Sequence, residues 1–159
     1  MIRRIAAILS LTLGLALPAS ATDADMSAAD RWAEDPTLVF DASEVALDDF
    51  KWIARPVVVF ADTDADPAFQ RQIELLTNRI DALQERDVVL IVDTDPDARS
   101  DIRRKLRPRG FMLTLIGKDG GVKLRKPRPW DVRELTRQID KMPMRLQEIE
   151  DQRRAGQDS

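Results

Sequence analysis

Three apolar runs constrain this chain more than any other feature: residues 57–61 (Val-Val-Val-Phe-Ala), 88–92 (Val-Val-Leu-Ile-Val) and 111–116 (Phe-Met-Leu-Thr-Leu-Ile). Each is short, unbroken by charge and without alternation, the pattern of strands covered on both faces. A sheet buried on both sides needs a layer against each face, and the intervening segments supply helices for them. Asp66-Pro67 is an N-cap residue followed by proline at the first helical position. Phe69, Ile73, Leu76, Ile80 and Leu83 then recur at spacings of four and three, which predicts one helix with a single apolar face. Ala98, Ile102 and Leu106 outline a shorter helix stopped by Pro108.

Residues 117–121 (Gly-Lys-Asp-Gly-Gly) turn the third run into residues 122–125, whose alternation predicts a hairpin strand with one charged face, ended by Pro127. Val132, Leu135, Ile139, Met142, Leu146 and Ile149 predict a long amphipathic helix interrupted at Pro143. Upstream, Leu38-Val39-Phe40 reads as an edge strand, and residues 43–52 as a short helix or turn. The order strand, helix, strand, helix, hairpin, helix gives an α/β fold, a mixed sheet with helices on both faces and a long C-terminal helix, which is the thioredoxin-like arrangement.

Residues 1–21 read as a secretory signal peptide: Arg3 and Arg4, an uncharged apolar run over 5–17, then Ala19-Ser20-Ala21. Thirteen residues are too few for a membrane span, which needs about 20. The expected division is residues 1–21 signal peptide, 22–36 flexible lead-in, 37–150 thioredoxin-like domain and 151–159 polar tail, with a periplasmic or secreted location. No membrane span is expected in the mature chain.

The chain has neither cysteine nor histidine. It therefore carries no thiolate for disulfide or peroxide reduction, so it is neither a thiol oxidoreductase nor a peroxidase. It also has no imidazole to serve as general base or metal ligand.

Two constellations remain. Asp62, Asp64 and Asp66 follow the first run as DTDxD, and Asp93, Asp95 and Asp97 follow the second in the same pattern. If those strands are parallel neighbours, six carboxylates share the rim where open α/β sheets bind ligands, and hard oxygen ligands suit Ca²⁺ or Mg²⁺. Acids beside a helix start also serve as caps and complement its dipole, the reading these residues favour, with no cofactor expected. The second constellation is charge segregation. Residues 22–100 hold 19 acidic against 7 basic residues, a net of −12, whereas residues 101–128 hold 2 against 10, a net of +8. Arg103, Arg104, Arg107, Lys123, Arg125, Lys126 and Arg128 are the candidate surface for an anionic envelope component or an acidic protein. Base-stacking aromatics are sparse there, so nucleic acid is not expected.

Residues 49–55 (Asp-Phe-Lys-Trp-Ile-Ala-Arg), the hairpin string 115–125 and residues 139–145 (Ile-Asp-Lys-Met-Pro-Met-Arg) resemble the DUDES-type domain family. That family is thioredoxin-like and peroxiredoxin-related, found in exported bacterial proteins and animal extracellular matrix proteins. The resemblance implies an exported location and assigns no catalytic residue. Pro56, directly after Arg55, departs from the pattern and is expected to shorten the strand's start. The function expected from all this is an exported, non-catalytic binding or adaptor module. A divalent-cation-binding protein or cation-dependent enzyme using the two DTDxD loops is the alternative.

Overall fold

The computed structural model describes residues 26–157, so the expected signal peptide lies outside the described residues. Five strands form one sheet in the order β1-β3-β2-β4-β5. They are β1 (Val39–Asp41), β2 (Arg55–Phe60), β3 (Val88–Asp93), β4 (Met112–Ile116) and β5 (Val122–Lys126). β1, β3 and β2 run parallel, β4 pairs antiparallel with β2, and β5 with β4. The unbroken apolar runs are explained at once, because β2 is buried at every position.

Alternate side chains of the sheet feed two cores. Val57, Val59, Leu90, Leu113 and Leu115 meet Leu76 of α2 (Pro67–Thr77), Leu83 of α3 (Ile80–Gln84) and Leu135 and Ile139 of α5 (Val132–Asp140). Val58, Phe60, Val89 and Ile91 meet Trp32 of α1 (Ala28–Glu34), Phe50 of the 3-10 turn Leu47–Phe50, and Ile102 and Leu106 of α4 (Asp101–Leu106). α6 (Pro143–Gln157) follows α5 after the break at Pro143. No helix among the described residues is long and apolar enough to cross a membrane.

The structure corrects four expectations. Residues 28–34, assigned to the flexible lead-in, form α1, because Ser27 caps it and Trp32 anchors it in the core. The single helix expected over residues 67–83 is two helices, broken where Arg79 leaves helical geometry at φ −137°, yet Leu76 and Leu83 reach the same core. Pro56 does not shorten β2. The backbone N–H groups of Arg55 and Ala61 donate to Asp87 and Asp93 on the β3 side. The missing N–H of Pro56, one residue out of phase, faces the side where β4 pairing begins only at Val57, so no ladder bond is lost. Finally, the polar tail from residue 151 continues as exposed α6 through Gln157.

Candidate functional site

The carboxyl ends of β2 and β3 lie side by side, Phe60 opposite Asp93. The six aspartates there do not act together. Asp66 accepts from the Ala68 and Phe69 N–H groups as the cap of α2, and Asp95 accepts from Asp97 and Ala98. Asp62, Asp64 and Asp97 are exposed. Asp93 is buried and accepts from the Ser100 hydroxyl at 2.6 Å and from Arg103 Nε at 2.8 Å. No three acids converge among the described residues.

Arg103 is the organising group of this rim. Its Nη2 also donates to the carbonyls of Ala61 and Asp93, at 2.8 and 3.0 Å, and its guanidinium lies 5.5 Å from the centre of the Phe60 ring. The sequence places Arg103 in the partner surface; the fold turns it inward to tie β2, β3 and α4 together. Ser100, which caps α4 through the Arg103 N–H, brings both side chains over Asp93.

The remaining basic residues divide. Lys123 pairs with Asp119 at 2.7 Å. Lys126 stands 4.5 Å over the Trp130 ring, and Arg104 pairs with Asp101 on the surface of α4. Arg125 Nη1 donates to the Leu106 carbonyl at 2.6 Å, satisfying the carboxyl end of α4. That contact places β5 against the exposed Arg107, which follows α4 in the left-handed conformation at φ 50°. Arg107, Arg109 and Arg128 are exposed and have no carboxylate within 4.0 Å among the described residues.

A third feature lies at the amino ends of β2 and β3, beside the β4–β5 turn, and the sequence did not announce it. Arg55, 1% exposed, donates to the Arg86 carbonyl at 2.9 Å and to Glu148 at 2.8 Å. Lys118 bridges Asp87 at 2.7 Å and Glu148 at 2.9 Å. The buried Arg145 reaches Glu148 at 3.3 Å, and Arg86 grips Asp140 with two bonds of 2.8 and 2.9 Å. The three strings at 49–55, 115–125 and 139–145 thus meet in one ionic network, through Arg55, Lys118, Asp140 and Arg145. Over it opens a cleft of about 180 Å³ walled by Met142, Pro143 and Met144, with Lys123 crossing close above Gly117. A Cβ on Gly117 would stand 2.5 Å from Lys123 Cε, so a larger residue would push that side chain aside.

Burial opposes ionisation of Glu148, but the bonds from Arg55 and Lys118 outweigh it and hold the carboxyl below its ordinary value of 4.5. A depressed carboxyl contributes stability that is complete above the unfolded value and lost as pH falls through the folded one. Melting midpoints should therefore decline as the pH drops below 4.5, and Glu148→Gln, already weaker at neutral pH, should show a shallower decline. Parallel profiles would place the acid sensitivity elsewhere.

Residues 46–148 match the family model described as "Domain of unknown function (DUF4174)". The chain belongs to the DUF4174 family. The match includes the whole ionic network from Arg55 to Glu148. No curated protein matches the sequence. Among solved structures, this DUF4174 domain is similar to the reduced 2-Cys peroxiredoxin of Plasmodium vivax, with a TM-score of 0.51 and 18% identity over 60% of this chain and 81% of that one. Desulfothioredoxin from Desulfovibrio vulgaris Hildenborough, in its reduced form, gives a TM-score of 0.48 and 19% identity over 66% of this chain and 97% of that one. The Plasmodium likeness establishes the thioredoxin-like fold and nothing about activity, since fold does not carry function.

Proposed function

We propose that this DUF4174 chain is a non-catalytic binding module of the cell envelope, related to the DUDES-type domains, that holds an anionic partner on the edge where α4 meets β5. The observation that carries this reading is the bond from Arg125 to the Leu106 carbonyl, which joins two basic clusters separated in sequence into one surface. Among the described residues, no carboxylate lies within 4.0 Å of Arg107, Arg109 or Arg128. Guanidinium groups so placed suit carboxylate or phosphate oxygens, which they grip in pairs. The rim at the start of α2 supports a non-catalytic role, because its buried acid is committed to Arg103 and Ser100.

Reversing Arg107, Arg109 and Arg128 to Glu should leave the melting temperature nearly unchanged, since exposed unpaired charges contribute little to folding. Capture of polyglutamate or of phosphatidylglycerol vesicles, whichever the wild type binds, should be lost, and salt should weaken the wild type in the same direction. Equal binding by wild type and triple variant, or no binding of either probe by the wild type, would sink the reading.

A further inference from the structure

The cleft at the amino end of β2 has cations in its lining, but it does not call for an anion. Arg55 and Lys118 are already neutralised by Glu148 and Asp87, and Lys123 by Asp119. What the cleft lacks is cover for Met142, Pro143 and Met144, the last two of which are exposed.

An apolar knob stands on the same turn. Trp52 is 62% exposed, and Ile53 beside it is exposed as well. Trp52 adopts φ 65°, a region that bulky residues avoid, and is held there by its N–H donating to the Lys118 carbonyl at 2.7 Å. Lys118 lines the cleft, so knob and cleft adjoin across one residue. Val122, the first residue of β5 on that turn, is exposed too.

A knob and a neighbouring cleft of about one large side chain's volume on one face make that face self-complementary, which is the requirement of a two-fold interface. We infer that this end of the molecule binds a second copy of the chain, with Trp52 of each protomer seated in the Met142–Met144 cleft of the other. Tryptophan is, with tyrosine and arginine, one of the residue types enriched among the anchors of protein interfaces, and the strained backbone at Trp52 is explained if presenting the indole is its purpose. The interface is separate from the basic edge, so either proposal can fail without the other. Dimerisation would also present two basic edges to one anionic partner and raise its apparent affinity.

Sedimentation equilibrium of the full chain over a wide concentration range tests this. The wild type should associate to a dimer. Trp52→Gly should be monomeric over that range and, at concentrations low enough for the wild type to be monomeric too, melt no lower than the wild type, because glycine accepts φ 65° without strain and the side chain it replaces is exposed. Met144→Glu, which alters the cleft and leaves the knob intact, should be monomeric too. A monomeric wild type would overturn the inference, and so would a dimer that survives both substitutions.

Discussion

Replacing Glu148 by Ala should destabilise the fold by about 3 kcal/mol, within the range of about 3–5 kcal/mol for removing one partner of a buried ion pair. Arg55 is fully buried and keeps only the Arg86 carbonyl at 2.9 Å and Asp87 at 3.9 Å once Glu148 is gone. Asp87 is why the effect falls at the lower end. Lys118 loses one of two carboxylates and Arg145 loses its contact at 3.3 Å, so three cations are affected by a single truncation. Urea unfolding should show the change as a shifted midpoint at constant slope. Replacing both Arg55 and Glu148 by Leu should recover much of the loss, because an apolar pair escapes the desolvation cost that an orphaned guanidinium incurs. A Glu148→Ala variant within about 0.5 kcal/mol of wild type, the range of ordinary surface changes, would show that the network is solvated and that α6 is held by other contacts.

Those charges explain why this site was hidden in the sequence while the fold was not. The strands are legible because burial on both faces leaves an unbroken apolar run, as in β2 and β3, and the start of α2 because Asp66-Pro67 is a local signal. The break at Asn78-Arg79 was not legible, since Leu76 and Leu83 hold their helical spacing across it. Trp32 fell within the expected flexible lead-in because its burial depends on the core cluster it shares with Phe40 and Phe50, which forms only on folding. Arg55 and Glu148 lie 93 residues apart, and each alone resembles a surface charge. The basic segment shows the same limit. Its net charge can be counted from residues 101–128, but which members face inward is decided by Asp93, Leu106 and Trp130, none of which a charge count consults.

Arg103 and Arg107 put that distinction to the test, because they stand four positions apart and the sequence assigned both to one surface. Arg103→Ala should cost about 3–5 kcal/mol, the penalty for leaving a buried charge without its partner. The Asp93 carboxylate would retain only the Ser100 hydroxyl at 2.6 Å, and the Ala61 carbonyl would lose the Arg103 donor, while the Asp93 carbonyl would keep the Ala61 N–H at 2.9 Å. Arg103→Lys should recover only part of this, since one ammonium cannot reproduce a fork that reaches a carboxylate and two carbonyls together. Arg107→Ala should stay within about 0.5 kcal/mol of wild type, because that side chain is exposed and has no carboxylate within 4.0 Å among the described residues. Urea midpoints of the three variants decide the structural half of the argument. Capture of the anionic probe, measured under conditions where each variant is folded, decides the other half: Arg103→Ala should bind nearly as the wild type does, and Arg107→Ala should bind more weakly. Should Arg103→Ala instead fold with wild-type stability and lose capture, Arg103 would belong to the binding surface and the lock at the β2–β3 rim would have no structural role.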